Sequence, residues 1–428
     1  MRTVRKNGWL IEQGPNSALE TTPLFRMMFE SLGILEERVY ANPLAAKRHI
    51  LRNGTLHALP MSPGAFLKSD LWSLMGKLRL LKEPFVGKGV KEESIAEFVE
   101  RRLGKEFLDY AINPFVAGVY AGNPEHLSVR AAFPKLYALE DKYGGLIKGM
   151  IRGGKERKLR AEQSKDRAKL FSFRMGMEVF PAAIATQLGD SVKTGCEIWD
   201  VRCESRNAFA VHYSRGGERM VEHASTVVLS SPAHVVAGMI RGLSPSLSSG
   251  LESIYYPPLA EVFLGFRTEQ VVRPLDGFGF LVPQKENRKI LGTVWSSSLF
   301  EGRAPDGHVA LTTFVGGARQ PELVALEDND LRAMVLEEIR PLLGITGSPV
   351  FASITRWPRA IPQYSLGYLK TLAEIETFEK ANPGLFLCSN FRGGIAIGDC
   401  ITSSERTAFR ILEHLGRRQE TAPAVATI

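Results

Sequence analysis

The residues best placed to do chemistry lie near the carboxyl terminus, where a glycine pair separates an apolar run from an amphipathic one. Residues 385–388 predict a strand, Gly393 and Gly394 predict a turn, and residues 399–415 predict a helix. Glycines let the backbone approach a ligand closely, and a helix start offers unpaired N–H groups and a positive dipole end. The arrangement suits an anion, or a flavin ring that becomes anionic at N1 on reduction. A glycine turn before a helix is also a common structural connection, so this segment alone does not establish a binding site.

Other ligand-binding motifs are incomplete. The G-x-G triplets at residues 87–89 and 277–279 both lack the third glycine that G-x-G-x-x-G requires for a dinucleotide. A near match to a phosphate loop at residues 149–155 continues with Glu156 instead of the serine or threonine that binds magnesium. Neither a dinucleotide loop nor a phosphate loop is therefore predicted.

No catalytic side chain can be assigned from spacing, because no Ser-His-Asp or Cys-His arrangement is evident. His49 and His57 could serve as bases, but a lone histidine in a strand is usually structural. The cysteines form no C-x-x-C pair and no histidines cluster around them, so neither a metal site nor a disulfide framework is predicted. They are Cys196, Cys203, Cys388 and Cys400.

The elements that must position these residues change in character along the chain. Residues 2–14 predict a β-hairpin with its turn at residues 6–8, and residues 22–38 predict a helix. From residue 66 to 174 the pattern is mostly helical, whereas residues 190–350 contain many short β-rich runs. The clearest of these runs are residues 209–213, 226–229, 262–266 and 309–314, with helices predicted near 233–253 and 328–344.

The helical part carries an amphipathic segment and a basic one. Ser69 is predicted as the N-cap of an amphipathic helix whose apolar face comprises Leu71, Leu74, Met75, Leu78 and Leu81. We expect that face to pack into a core. The alternative is a helix in a membrane interface, which Trp72 and the basic flank favour.

The net charge of +8 is concentrated in residues 148–174, where ten Lys and Arg residues face three acidic ones. A solvated helix or loop is the simplest interpretation, and attraction to an anionic membrane is the functional alternative. Nucleic-acid binding is not expected, because no aromatic residues interleave with the charges. With no apolar run of about 18 residues and no signal peptide, a cytoplasmic protein is expected, with peripheral membrane contact as a further expectation.

An ordered set of short segments resembles the oxygen-dependent protoporphyrinogen oxidases, FAD enzymes of haem and chlorophyll synthesis. Each segment is weak alone, but together they cover nearly the whole chain. They are residues 2–5 with 12–17, 47–48 with 56–60, 113–122, 173–176, 277–283, 313–317, 360–364 and 390–401.

The resemblance implies roles for individual positions. Cofactor-binding positions would follow the flavin ring, with one position near the adenine, and substrate-binding positions would enclose an apolar tetrapyrrole and pair with a propionate. The cofactor-binding residues would be Gly14, Pro15, Asn16, Ser17, Ile198, Trp357, Ile395, Ala396 and Ile397. The substrate-binding residues would be Arg48, Gly118, Phe278, Leu281, Val294 and Phe314. Without the resemblance, Arg48 could be a surface arginine, and Phe278, Leu281 and Phe314 would be assigned to a β-sheet core.

The resemblance also implies the fold, a mixed α/β (α+β) architecture with a glutathione-reductase-like FAD domain. We expect that domain in residues 1–45, 170–200 and 355–416, a β-rich substrate domain in 46–62 and 201–354, and a helical, membrane-associating region in 63–169. Residues 417–428 are expected to be a disordered tail. Members of the family begin with a βαβ unit that carries G-x-G-x-x-G, and this sequence starts after it, so we expect an N-terminally incomplete FAD domain.

The implied activity is oxidation of protoporphyrinogen IX to protoporphyrin IX by O2, giving H2O2. Hydride leaves a bridge carbon for flavin N5, and imine–enamine tautomerism moves protons around the ring, so the cofactor carries the chemistry. Coproporphyrinogen III is the alternative substrate, and another FAD amine oxidase is a further alternative. A non-catalytic fragment that binds a tetrapyrrole or a partner is the alternative outside enzymes, and a homodimer is also left open.

Overall fold

A computed structural model describes residues 1–159, 168–205 and 208–421 of the chain, without side chains for residues 154–159 and 417–421. Residues 160–167 of the basic stretch at residues 148–174 therefore lie outside the described residues, as do the tail residues 422–428. Within the described residues, no helix is both long enough and apolar enough to cross a lipid bilayer.

The strands are short and become frequent after residue 195, as the sequence predicts. In the described residues they are β1 (Arg2–Lys6), β2 (Trp9–Gln13), β3 (Ala18–Leu19), β4 (Arg38–Tyr40), β5 (Lys47–Arg52), β6 (Thr55–Ala58), β7 (Leu170–Phe173), β8 (Cys196–Ser205), β9 (Ala208–Arg215), β10 (Glu218–Ala224), β11 (Val227–Leu229), β12 (Leu259–Arg267), β13 (Gly277–Leu281), β14 (Gly292–Val294), β15 (His308–Gly316), β16 (Phe351–Trp357) and β17 (Leu385–Leu387).

The helices cluster between β6 and β7 and at the carboxyl end. The α-helices are α1 (Leu24–Ser31), α2 (Pro63–Lys68), α3 (Leu74–Arg79), α4 (Ile95–Leu103), α5 (Lys105–Phe107), α6 (Asn113–Tyr120), α7 (Val129–Ala132), α8 (Pro134–Tyr143), α9 (Leu146–Leu159), α10 (Val179–Leu188), α11 (Ala233–Ile240), α12 (Pro245–Glu252), α13 (Ser296–Leu299), α14 (Asp328–Leu343), α15 (Tyr368–Ala381) and α16 (Ile397–Thr421). Short 3-10 helices lie at Leu35–Glu37, Pro43–Ala45, Leu80–Phe85, Gly189–Ser191, Thr268–Gln270, Gln284–Glu286 and Pro321–Ala325, and a π-helical turn lies at Leu108–Ile112.

Two compact units make up the chain. The first comprises residues 1–186 and 256–366, and the second comprises residues 187–255 and 367–428. Residues 201–255, which the sequence analysis assigns to the substrate domain, lie in the second unit because β11 pairs in parallel with β17 near the carboxyl end. All the domain assignments stay predictions about function.

The amino-terminal hairpin forms as predicted. β1 and β2 pair antiparallel from Arg2↔Gln13 to Lys6↔Trp9. Asn7 and Gly8 both have positive φ, which is the requirement of a two-residue hairpin turn matched to the strand twist. Trp9 and Ile11 of β2 pack against Phe263 of β12 in a small hydrophobic core. The hairpin is therefore packed against the sheet that contains β12.

A seven-stranded sheet in the order β16-β12-β15-β14-β13-β5-β6 dominates the first unit. All pairs are antiparallel except β13 with β5. Alternate residues of its strands, such as Val262, Phe280 and Leu311, form a continuous core with Leu331 and Ile339 of α14. Since successive side chains of a strand point to opposite faces, the intervening residues lie on the other face of this sheet.

The second unit contains a three-stranded antiparallel sheet, β10-β9-β8, and the parallel pair β11-β17. The predicted carboxyl-terminal strand, glycine turn and helix are confirmed as β17, Gly393-Gly394 and α16. α16 continues to Thr421, so the tail predicted to be disordered from residue 417 is helical at its start.

The predicted core-facing stripe in the helical region is wrong. Residues 69–73 do not form a helix; Ser62 and Ser73 cap α2 and α3, and Ser69 follows the end of α2. Leu71 is buried, but Leu74 is 71% exposed and Met75 is 75% exposed, and Leu78 and Leu81 are also exposed. The apolar spacing is compatible with either environment, and the break before α3 leaves these side chains facing away from the core that contains Trp72.

Candidate functional site

The six predicted substrate-binding residues come together in the first unit. Arg48 lies on β5, Phe278 and Leu281 on β13, Val294 on β14 and Phe314 on β15, which are four consecutive strands of the seven-stranded sheet. Leu281 pairs with Gly292, and Gly292 pairs with Phe314, so these three residues lie on the same face in the middle of the sheet. This face is opposite to the one covered by α14, and we call it the open face.

The open face combines half-buried apolar side chains with an exposed cation. Phe278, Leu281, Val294 and Phe314 are all half-buried, whereas Arg48 is exposed. Two of these apolar side chains pack against different hydrophobic clusters. Leu281 packs against the cluster that includes Ile50 and Trp72, and Phe314 packs against the cluster that includes Ala117. Half-buried apolar side chains on a sheet face suit a flat, apolar ligand.

A β-bulge explains how Phe278 reaches the open face. β13 pairs with β5 at Gly277↔Lys47 and Gly279↔Arg48, so Phe278 is an extra residue without a partner on β5. Such a bulge re-aims a side chain, and the Arg48 guanidinium carbon lies 5.7 Å from the centre of the Phe278 ring. The triplet at residues 277–279 is therefore a bulge in a sheet.

Glycine is required at Gly279 by both its conformation and its surroundings. Its φ is +139°, and a β-carbon there would lie 2.0 Å from the carbonyl oxygen of Thr293 on β14. The strand could not keep its pairing with β14 if a larger residue stood at this position. Gly279 thus fixes the register that brings Phe278 and Val294 to the same region of the open face.

Helix α6 covers part of the open face through Gly118. A β-carbon added at Gly118 would lie 2.7 Å from Cδ2 of Leu281, so the helix backbone packs directly on that side chain. Gly118 itself is exposed. The helix and the sheet therefore meet at the residue pair that the sequence analysis places around the substrate.

Arg319 fastens α6 to the end of β13. Its guanidinium donates to the carbonyl oxygen of Val282 at 2.8 Å, and to the carbonyl oxygen and Oδ1 of Asn113 at 3.0 and 2.6 Å. Asn113 Oδ1 also accepts from the backbone N–H of Gln284 at 2.9 Å. Burial lowers the pKa of Arg319 to about 10. The sequence gives no motif for Arg319, and its role follows only from the contact between α6 and β13.

His49, weighed in the sequence analysis as a base, is a core residue. It is buried on the face opposite Arg48, its Nδ1 lies 3.3 Å from the carbonyl oxygen of Gly279, and its ring packs on Trp295 at 5.3 Å between centres. Burial lowers the pKa of His49. A neutral histidine held between a strand and a tryptophan supports the sheet.

Two predicted flavin-contacting residues of the first unit meet at one buried acid. Glu261 of β12 accepts a hydrogen bond from the backbone N–H of Gly14 at 3.4 Å and from Nε1–H of Trp357 at 3.1 Å. Gly14 has a φ of +125°, and a β-carbon there would lie 3.9 Å from the Trp357 ring. Pro15 is exposed, and Asn16 and Ser17 are half-buried, so the loop after Gly14 is open to a ligand.

Glu261 is a functional candidate that the sequence analysis missed. It is only 5% exposed, and burial, together with the nearby negative charge of Glu12, raises its pKa to about 8. An acid in an otherwise apolar strand, with the sequence LAEVFLGF, is the signal that could have found it, because a buried carboxyl usually needs a partner.

The remaining predicted cofactor positions lie in the second unit. Gly394 has a φ of +124°, and a β-carbon there would collide with the side chain of Asp399 in the first turn of α16. Ile395, Ala396 and Ile397 follow, and α16 begins at Ile397. Ile198 is exposed on β8, where it pairs with Tyr213. The sharp glycine turn and the start of a long helix fit the edge of a flavin ring, which accepts hydrogen bonds and negative charge.

Comparison with known proteins gives a consistent set of relatives. The family model described as "Flavin containing amine oxidoreductase" matches residues 1–412. Protoporphyrinogen oxidase 2 of Arabidopsis thaliana, chloroplastic/mitochondrial, is 32% identical, over 97% of this chain and 87% of its own length. Coproporphyrinogen III oxidase of Bacillus subtilis is 29% identical, over 97% of this chain and 89% of its own length.

Solved structures share the fold. The crystal structure of a candidate protoporphyrinogen oxidase from Exiguobacterium aligns with a TM-score of 0.77 at 23% identity, over 97% of this chain and 90% of that one. Cyclohexylamine oxidase from Brevibacterium oxydans aligns with a TM-score of 0.66 at 12% identity, over 95% of this chain and 88% of that one. The mixed α/β fold of flavin-dependent oxidases is thereby confirmed for this chain.

Proposed function

This chain belongs to the family of flavin-containing amine oxidoreductases, and we propose that it oxidises protoporphyrinogen IX to protoporphyrin IX with FAD and O2. The relatives named as protoporphyrinogen oxidases reach 33% identity over 97% of the chain. Their names support the reaction class, and the open face of the first unit supports the substrate.

The proposal rests on the convergence of five strand residues and one helix residue at one face of the sheet. Phe278, Leu281, Val294 and Phe314 offer an apolar surface, Gly118 brings α6 against Leu281, and Arg48 places a cation at one edge. A porphyrinogen is a broad apolar macrocycle with carboxylates along one edge, so it needs such a surface and an arginine fork. An amine substrate would have no use for the arginine.

We assign flavin binding to the predicted cofactor residues, and each unit is considered separately. When bound, the flavin supplies the two-electron acceptor for the reaction. In the first unit, Gly14, Trp357 and the open loop at Pro15–Ser17 are the proposed flavin contacts. In the second unit, taken by itself, the Gly394 turn and the start of α16 are proposed to bind the edge of a flavin ring, and Ile198 is proposed to lie near an adenine. The protein's contribution would be to position the macrocycle and to manage the proton that leaves with the electrons.

Coproporphyrinogen III is the second candidate substrate, because relatives with that name cover 97% of the chain. That substrate carries propionates on all four pyrrole rings, so it would require further cations around the open face. Lys47, the neighbour of Arg48, instead pairs with Asp276 at 2.6 Å. As the strand neighbour of Arg48, Lys47 points to the opposite face of the sheet, as His49 does. It therefore adds no cation to the open face, and we favour the substrate with fewer carboxylates.

We also propose peripheral contact with an anionic membrane through a surface patch made of residues 61–90. Its exposed apolar side chains are Met61, Leu67, Leu74, Met75, Leu78, Leu81, Phe85 and Val90. The exposed residues Lys68 and Lys82 flank them. Apolar side chains beside lysines are the combination that an anionic lipid surface binds.

Flavin binding and product formation test the enzymatic proposal together. The chain would be loaded with FAD, freed of excess by gel filtration, and mixed with protoporphyrinogen IX or coproporphyrinogen III in air. We expect bound flavin absorbance and porphyrin fluorescence that rises well above autoxidation, faster with protoporphyrinogen IX. Bound flavin without acceleration for either porphyrinogen would refute the proposed function, and faster turnover of coproporphyrinogen III would replace the substrate.

A further inference from the structure

Glu261 lies at the centre of the region that the proposed function assigns to substrate and flavin. On β12 it pairs in register with Phe314 of β15 and with Thr355 of β16. It therefore shares the open face with the apolar residues of the proposed substrate site. Through Gly14 and Trp357 it also contacts two of the flavin-assigned positions of the first unit.

The carboxyl group of Glu261 has an unusual set of partners. Among the described residues, its hydrogen bonds come only from the N–H groups of Gly14 and Trp357, and no cation forms an ion pair with it. Both of these partners are hydrogen-bond donors. When Glu261 is protonated, its O–H group therefore has no hydrogen-bond acceptor among these partners. An acid whose proton has no acceptor in the protein is suited to exchange that proton with a ligand.

The electrostatic surroundings place this exchange near neutral pH. Burial raises the pKa of Glu261 to about 8, the negative charge of Glu12 on β2 acts in the same direction, and the two N–H donors oppose them. The neighbours in register, Phe314 and Thr355, do not titrate. General acid–base groups are most effective when their pKa is close to the working pH.

Resting on the proposed function, we propose that Glu261 is a catalytic residue that accepts the pyrrole N–H proton released as the macrocycle is oxidised. In each round the C–H bond at a bridge carbon breaks, and its electron pair leaves with the hydrogen for the bound flavin. The pyrrole N–H bond breaks as well, its electron pair forms the new C=N double bond, and its proton forms the O–H bond of Glu261. The proton then leaves for solvent, so the neutral substrate yields a neutral imine and the carboxylate is restored.

The test compares the FAD-loaded wild type with Glu261→Gln, which keeps the size of the side chain but cannot ionise. Glu261→Asp keeps an acid, and Thr355→Val is the matched control, because it removes a neighbouring polar side chain of the same face. Each protein is first checked for thermal unfolding and bound flavin. Infrared titration without substrate then follows the C=O band of a protonated carboxyl, and anaerobic mixing with protoporphyrinogen IX gives the rate of flavin bleaching against pH.

We expect a carboxyl band that titrates near pH 8 in the wild type and in Thr355→Val and is missing from Glu261→Gln. The bleaching rate should rise with pH through the same midpoint in the wild type. In Glu261→Gln it should be about 100-fold lower and independent of pH, with little change in the half-saturating substrate concentration. Glu261→Asp should regain the pH dependence.

Two results would overturn the inference without touching the proposed function. One is a Glu261→Gln protein that bleaches at the wild-type rate with the wild-type pH profile. The other, decisive if Glu261→Gln does not fold, is a Glu261→Asp protein whose bleaching rate is independent of pH. A wild type that binds FAD but is not bleached by protoporphyrinogen IX would instead remove the proposed function, and this inference with it.

Discussion

The backbone of Gly118 rests on the side chain of Leu281: a β-carbon added to the glycine would lie 2.7 Å from Cδ2 of the leucine. Gly118 belongs to α6, Leu281 to β13 of the seven-stranded sheet, and neither is fully buried. The contact joins a helix to the open face at a point where both elements are assigned to the substrate. The distance between the Gly118 backbone and the Leu281 side chain limits the space left for a ligand between α6 and the open face.

Gly118→Ala should therefore weaken substrate binding. The added methyl group forces Leu281 to move, and overpacking of this kind costs about 1–3 kcal/mol. We expect the KM for protoporphyrinogen IX to rise about 5- to 100-fold with kcat less affected. Gly238→Ala on α11 is the control, because no atom of the described residues lies within 4 Å of the added carbon. An unchanged KM for Gly118→Ala would place the substrate elsewhere.

Arg48→Ala should raise KM by removing the cation beside Phe278. A charge-assisted hydrogen bond to a carboxylate contributes about 1.5–3 kcal/mol, which corresponds to about 10- to 100-fold in KM. Arg48→Lys should recover only part of the loss, because lysine lacks the planar fork. Lys47→Ala, on the adjacent residue with its own partner Asp276, should leave KM nearly unchanged. Equal effects at both positions would show a general electrostatic attraction instead of a specific contact.

Arg319→Met should destabilise the first unit. The substitution leaves the carbonyl oxygens of Val282 and Asn113 without their buried donor. We expect the free energy of unfolding to fall by about 2–4 kcal/mol in chemical denaturation. The exposed arginine Arg332, which donates to Asn329 and to no other residue that the structure describes, provides the control Arg332→Met. A decrease in the free energy of unfolding no larger than that of Arg332→Met would show that Arg319 does not stabilise the contact between α6 and β13.

Glu261 should make stability depend on pH. Its pKa is raised from an ordinary value near 4.5 to about 8, so between these values the folded protein retains a proton that the unfolded chain has released. The free energy of unfolding should accordingly fall as pH rises through this window. Glu261→Gln lacks this pH dependence. The free energy of unfolding of the variant minus that of the wild type should therefore be larger at about pH 9 than at about pH 5, as measured by chemical denaturation. Parallel pH profiles would mean that Glu261 titrates normally in the folded state.

Leu74→Ser combined with Met75→Ser should reduce binding to membranes. Burial of each large apolar side chain contributes about 1.5–3 kcal/mol, so we expect at least a tenfold loss in partitioning to vesicles that contain phosphatidylserine. Binding of the wild type should also weaken as salt is added. Leu366→Ser, at an exposed leucine outside the patch, is the control. Wild-type protein that does not pellet with the vesicles at low salt would contradict the proposal.

The sequence predicts local structure where short-range chemistry decides it. The turn at Asn7-Gly8 and the glycine turn before α16 both require positive φ, and both form where the sequence indicates. The helix predicted over residues 22–38 is shorter: α1 ends at Ser31, and a single 3-10 turn covers Leu35–Glu37. Gly33 lies between the two and has a positive φ. Glycine in this conformation commonly ends a helix.

Long-range features escape such patterns. The stripe from Leu74 to Leu81 has helical spacing, but spacing states only which residues share a face, not whether another element covers it. Glu261 stands alone among apolar residues, and its significance depends on Gly14 and Trp357, which are distant in sequence and adjacent in space. The six substrate residues were placed by resemblance, and their common face depends on strand order and on the bulge at Phe278.

The most direct test of the account is single-turnover reduction in the absence of oxygen. FAD-loaded protein would be mixed with protoporphyrinogen IX, and flavin absorbance would be followed before and after air is admitted. We expect bleaching at a rate that saturates with substrate, followed by return of the absorbance and protoporphyrin fluorescence in air. Flavin that stays bound and unbleached at saturating protoporphyrinogen IX, with porphyrin appearing only at the autoxidation rate, would contradict it.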